Sequence, residues 1–135
     1  MSGDAAPGLR WPRLLAGRGR YLADLSVPGV REAAVLRSPH AHARIVSIDG
    51  TTARAAPGID AVLLHDDIAA VLKPWRGVHG LFPDMAAPEQ AALARDRVRH
   101  VGEPVAVVVG ESRAACEDAL ELIGVAREAL PAGGD

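Results

Sequence analysis

Aromatic side chains, cysteine, lysine and any dominant charge sign are all scarce in this chain, and each shortage excludes something. Aromatics make up 3% of 135 residues, namely Trp11, Tyr21, Trp75 and Phe82, so Val, Leu, Ile and Ala must supply most of any core. A net charge of −2 excludes the concentrated positive field that displaces counterions from a nucleic-acid backbone. The single cysteine, Cys116, excludes an internal disulfide and any Cys-x-x-Cys spacing for zinc or an iron–sulfur cluster. It suits a reducing compartment. No window approaches 18 apolar residues, and Met1–Gly8 has neither a basic nor an apolar stretch of the kind a secretory leader needs. The expectation is a cytoplasmic chain that neither crosses a membrane nor binds nucleic acid. Lys73 stands alone among fourteen arginines, an imbalance that points to no function.

What is present fits one small α/β domain with a mixed sheet and strand–helix–strand crossovers. At this length, about two thirds of the unfolded surface can be buried. Residues 1–12, rich in Gly, Pro and polar groups, read as a flexible arm, residues 13–131 as the domain and 132–135 as a flexible end. Strands are predicted over 30–37 and 44–48. A short helix at 52–56, capped from Asp49 or Thr51 and closed by Pro57-Gly58, leads to a strand over 59–64. Asp66 and Asp67 offer caps to another short helix running to Val71. Pro74, Gly77, Gly80, Pro83 and Pro88 mark a surface excursion over 73–90 without regular structure. Val105–Val109 has the continuous β-branched character of a strand buried on both faces. Ser112 is placed to cap a helix whose apolar face is Ala115, Cys116, Ala119, Leu120 and Ile123, and residues 125–130 return as a strand. Each strand–helix–strand unit predicts a crossover between parallel neighbours.

Three groups of residues attract functional attention, and none makes a catalytic, cofactor-binding or metal site. Gly17-Arg18-Gly19-Arg20-Tyr21 is too short of motif for a phosphate loop, so it reads as a turn, with Arg18 and Arg20 paired across an interface rather than cradling an anion. His40 and His42 fall on the same side of an extended backbone, but a metal needs a third ligand, for which Asp66 or Asp67 beside His65 are the sources. Hydrogen-bonded or solvated imidazoles are the commoner outcome in a loop. Gly102-Glu103-Pro104 leads into the most apolar strand. Glu103 has no partner base in the nearby sequence, and it reads as an acceptor of backbone N–H groups at the strand entry. Gly102 would turn the chain there, and Cys116 reads as a small core residue.

In their order along the chain, Gly17-Arg18-Gly19-Arg20-Tyr21, Arg37-Ser38-Pro39-His40-Ala41-His42-Ala43-Arg44-Ile45 and Val101-Gly102-Glu103-Pro104-Val105 resemble the α/β hammerhead domain that opens the molybdopterin-binding large subunit of xanthine dehydrogenases, aldehyde oxidases and aerobic carbon monoxide dehydrogenases. The resemblance runs from about Leu14 to Pro131. Departures from the family pattern are Arg10-Trp11-Pro12-Arg13, where an acidic pair is common, His100 for an aromatic, Arg127 for a tyrosine and Gly133-Gly134 for apolar residues.

The resemblance implies an oxidoreductase that works with a molybdopterin dinucleotide, 2Fe-2S clusters and usually FAD. The family's pterin loops and catalytic glutamate lie after this domain, so the chain itself is expected to bind no cofactor. Its expected partners are the molybdopterin-binding remainder of the large subunit and the iron–sulfur and FAD subunits. The chain then reads as the hammerhead part of such a subunit, split or truncated and inactive alone. A stand-alone binding or assembly module and a non-functional remnant are the alternatives.

Overall fold

The computed structural model describes residues 14–21, 24–25, 27–77 and 87–133. The arm expected over 1–12 lies outside the described residues, as do 78–86 within the expected excursion and 134–135 of the tail. Contacts divide the chain into two compact units, residues 1–30 and 31–135. In the first, Gly17 closes a turn by donating its N–H to the Leu14 carbonyl at 3.0 Å, with φ +66°. A β-carbon on Gly19 would come within 2.9 Å of Leu14 Cδ2. Val27-Pro28-Gly29-Val30 is a hydrogen-bonded turn with Gly29 at φ +81°, the type II geometry for which proline and glycine are suited.

The second unit carries β1 (Glu32–Arg37), β2 (Ala43–Asp49), α1 (Thr51–Arg54), β3 (Ile59–Leu63), α2 (His65–Ile68), β4 (Trp75–Arg76), β5 (Glu89–Gln90), β6 (Arg97–Val98), β7 (Pro104–Gly110), α3 (Arg113–Glu121) and β8 (Gly124–Ala129). Two three-stranded sheets form, in the orders β1-β7-β3 and β6-β2-β8, beside a small β4-β5 hairpin. Every pairing among the described residues is antiparallel.

A small α/β domain is therefore present, and its two strand–helix–strand units are real. They do not join parallel neighbours of one sheet, as expected from the sequence. Each passes from one sheet to the other: β2-α1-β3 leaves the second sheet for the first, and β7-α3-β8 returns. The connection Gly50–Gly58 is shorter than the dozen or so residues that a crossover between parallel strands requires. β4, β5 and β6 lie where no strand was expected. At two residues each they are too short for a periodic signal, and β4 and β5 pair across a long connection.

Local chemistry explains the helix ends. Ser112 Oγ accepts the N–H of Ala115 at 3.2 Å and caps α3. Asp49 Oδ1 accepts the Thr51 N–H at 2.9 Å, and the Thr51 N–H and hydroxyl together hold the Asp49 carboxyl below its ordinary pKa. The Asp67 carboxylate accepts the Leu64 N–H at 2.8 Å while the Asp67 N–H returns to the Leu64 carbonyl, which closes the start of α2.

β7 lies at the centre of the packing. The register against β1 runs from Glu32↔Gly110 to Leu36↔Ala106 and then skips to Arg37↔Pro104, so Val105 is an extra residue in a β-bulge. Successive side chains of β7 face opposite sides, so two adjacent residues are buried in different places. Ala106 and Val108 join Val62, Cys116, Ala119 and Ile123 in one core, whereas Val105 joins Ala43, Ala94 and Val98 in another. At the far end of β7, Gly110 meets the start of β3 so closely that a β-carbon would overlap the Gly58 carbonyl and sit 3.1 Å from Cys116 Sγ. Gly110→Ala is expected to lower stability by about 1–3 kcal/mol through overpacking. A urea or thermal melt unchanged from the wild type would show that the β3–β7 crossing yields easily.

Candidate functional site

Two of the conspicuous loops meet in space. Ser38, 2% exposed, donates its N–H to the Glu103 carbonyl at 3.0 Å, and its own carbonyl accepts the Gly102 N–H at 2.8 Å. Arg37 Nη1 donates to the Gly102 carbonyl at 2.9 Å. Gly102 can accept this clamp because it turns the chain at φ +85°, with the Glu103 N–H closing the turn on the His100 carbonyl. Ser38 Oγ serves its own loop, donating to the His40 carbonyl and accepting the His40 N–H at 3.0 Å.

Glu103 faces inward, with its side chain 14% exposed. It accepts the backbone N–H of Arg99 and lies 3.6 Å from the Arg99 guanidinium. The carboxylate thus ties the end of β6 to the entry of β7. It has no contact with a serine, histidine or second carboxylate that would make it a base.

His40, His42 and His65 serve separate contacts. His42 Nδ1 lies 2.7 Å from the Pro131 carbonyl, and the His42 carbonyl accepts the Leu130 N–H at 3.0 Å. This two-point contact fixes the chain where it leaves β8. His40 is exposed, and its loop bonds pass through backbone atoms. His65 Nδ1 lies 3.0 Å from the Leu93 carbonyl. Among the described residues no three His, Cys, Asp or Glu side chains are grouped to hold a metal. A cleft of about 370 Å³ beside the clamp is lined by His42, Arg99, His100 and Val101 with Ala132 and Gly133. The Arg99 guanidinium already serves Glu103 and the Arg97 carbonyl.

Arg18, Arg20 and Tyr21 lie in the first unit. Tyr21 is 67% exposed, its N–H donates to the Asp24 carboxylate at 2.9 Å, and neither arginine has an ion pair among the described residues. Arg127, a residue unlike the family pattern, occupies a half-buried position on β8 opposite Ile45, with its Nε buried and unpartnered. Sequence reasoning had no signal for the Ser38–Gly102–Glu103 clamp, because its halves are far apart in the chain.

Cys116 is buried on α3 with Sγ 3.5 Å from the Glu32 carbonyl. Burial, and then the carboxylates of Glu32, Asp60 and Glu117, push its thiol above the ordinary value. The arrangement suppresses the thiolate that nucleophilic chemistry needs.

A model of the aldehyde oxidase and xanthine dehydrogenase α/β hammerhead domain matches residues 16–131. The chain belongs to this family. The large subunit of nicotine 6-hydroxylase from Paenarthrobacter nicotinovorans is 42% identical over 95% of the chain. The large chain of carbon monoxide dehydrogenase from Afipia carboxidovorans is 43% identical over 88%. The crystal structure of quinoline 2-oxidoreductase from Pseudomonas putida 86 superposes with a TM-score of 0.84 at 48% identity over 89% of the chain. The hammerhead chain spans 16%, 14% and 15% of these three proteins. Relatives in the family include molybdenum-binding subunits of xanthine dehydrogenase.

Two outcomes are expected of this site. Glu103→Ala is expected to cost about 1–2 kcal/mol in a urea titration by leaving the Arg99 N–H without its acceptor, and to speed hydrogen exchange at that amide. An unchanged midpoint and exchange rate would remove Glu103 from the architecture. For Cys116 the sign follows from proton binding. The unfolded chain releases the thiol proton near pH 8.5 whereas the folded chain retains it, so stability falls as pH rises through about 8.5. Comparing urea midpoints from pH 7 to above that value should show a slope that Cys116→Ala diminishes. Equal slopes in both proteins would place the thiol in contact with solvent.

Proposed function

We propose that this chain serves as the hammerhead domain of a molybdenum hydroxylase large subunit, a structural and docking element inactive by itself, with the chemistry carried by the molybdopterin-binding remainder. The observation that carries this reading is the use to which the family's motif residues are put. Glu103, Gly102, Ser38 and His42 bond to the backbone of their own fold, and no nucleophile–base pair or metal-ligand group comes together among the described residues. The share of each relative that the domain spans, 14–16%, agrees with a part that needs a larger body around it.

In this reading the pterin dinucleotide is held outside this domain. The cleft beside the clamp has one arginine, and that guanidinium is engaged within the domain. No step is therefore assigned to a cofactor on this chain; molybdopterin, the 2Fe-2S clusters and FAD belong, in this reading, to other domains or subunits. The proposed domain limits are residues 13–131, and the proposed setting is the cytoplasm. Among the described residues no helix is long and apolar enough to cross a membrane. Arg18, Arg20 and Tyr21, together with His40, are proposed to contact partners, since Tyr21 and His40 are exposed.

Coexpressed with the molybdopterin-binding remainder from its source organism, the chain is expected to copurify with it in equal amount and with oxidase or dehydrogenase activity. The purified chain alone should show none. Turnover by the chain alone, or purification of the remainder in active form without it, would overturn the proposal.

A further inference from the structure

The second sheet is incomplete along one side. β6 pairs with β2 only at Ala43↔Val98 and Arg44↔Arg97, with one further bond from the Ile45 N–H to the Asp96 carbonyl, whereas β2 continues to Asp49. Beyond Ile45, that edge has no strand partner among the described residues. An uncovered strand edge presents N–H and C=O groups that pair with any extended segment of suitable shape.

In place of a fourth strand there is a slot. It measures about 220 Å³, with Val46 and Ile48 of β2 on one side, Leu64 and Asp66 across from them, and Ala94 and Arg95 at the end where β6 begins its approach. That volume is below the roughly 300–1,000 Å³ of pockets that enclose a small organic ligand. The slot is open, lined by both apolar and polar groups, and bears Asp66, His65 and Arg95. Asp66 and Arg95 have no ion pair among the described residues. Val46 is 62% exposed and is the extra residue where the β2–β8 register skips from Ile45↔Arg127 to Ser47↔Ala126, while Ile45 and Ile48 pack against the core.

The walls are held before anything enters. The His65 ring nitrogen bonds the Leu93 carbonyl, joining the α2 wall to the end wall. The Ala94 N–H donates to the Pro104 carbonyl at 2.8 Å, which fastens that end wall to β7. A preformed slot loses little freedom when it is filled.

We propose that the edge of β2 facing away from β8, over Val46–Asp49, receives a short extended segment from the rest of the large subunit, which adds a strand in line with β6 and covers Val46. The proposal rests on the functional reading above and names the surface through which it operates. The occupant follows from size. Because the hammerhead domain spans only 14–16% of three relatives and 25% of a fourth, most of each lies outside the matched stretch and is available to cover an open edge. Strand addition draws affinity from main-chain hydrogen bonds and specificity from alternate side chains. The entering segment should therefore carry an apolar residue level with Val46 and opposite charges facing Asp66 and Arg95.

The test compares the chain alone with the chain assembled on its molybdopterin-binding remainder. Hydrogen exchange at those amides of residues 46–49 that point away from β8 should slow by at least about tenfold on assembly. Val46→Asp should weaken association by about tenfold or more, since a central contact is replaced by a buried unpaired charge. Val46→Ile should associate as the wild type does. Val46 is exposed, so the aspartate variant should melt with the wild type, and a lowered melt would overturn the assignment of Val46 to a docking surface. Assembly without protection of residues 46–49 overturns the strand while leaving the functional reading intact, and failure to assemble overturns both. Protection in the chain alone that grows with its concentration would mark pairing between copies and overturn the proposed occupant.

Discussion

Burial of β7 is the constraint on which the second unit depends. Val105, Ala106 and Val108 are completely buried, and each fully buried valine is worth about 1.5–3 kcal/mol relative to exposure. Strand alternation sends Val105 and Ala106 to opposite faces. The strand thereby contributes to both core clusters, and so couples the two sheets through one segment of chain. β1 and β3 flank β7 on either side, and α3 packs against β1 and β7. A loss of packing at β7 would therefore be felt in both sheets.

The entry to this strand is heavily bonded. The Ser38–Gly102–Glu103 clamp fixes it through two backbone bonds and the arginine from β1. Glu103 fixes β6, the neighbour on the other sheet, to the same point. Removing a buried acceptor costs more than the net worth of the bond it made, because the orphaned donor is left without water. The residues that look most like chemistry in the chain are thereby accounted for by the geometry of a strand entry.

How far this was legible depended on whether the signal was local. The β-branched run of β7, the Ser112 cap with its apolar helical face and the Pro28-Gly29 turn all follow from neighbouring residues, and all three are present in the structure. The partnering of strands was not legible. The sequence suggested parallel neighbours because strand–helix–strand units usually produce them, but nothing local reports that β2 and β3 belong to different sheets. The clamp escaped notice for the same reason. Ser38 shows only a loop signature, and Gly102 only a turn, until the fold brings them within hydrogen-bonding distance. Glu103 was legible as an acceptor of backbone N–H groups, but its donor, Arg99, was not named by any pattern.

The same division between inward and outward groups decides where a partner can act. Ser38 and Glu103 point into the domain and hold its shape. What remains outside is an interrupted sheet. β8 uses Glu128 to pair with Arg44 on β2, and β6 covers the opposite side of β2 only at its beginning. An exposed ion pair of this kind adds little stability, whereas an uncovered edge beside an exposed valine carries both unmet hydrogen bonds and unburied apolar area. Completion of that sheet by another part of the subunit would remove both at once. It would also make the domain's contribution depend on assembly, which is the behaviour of a docking element.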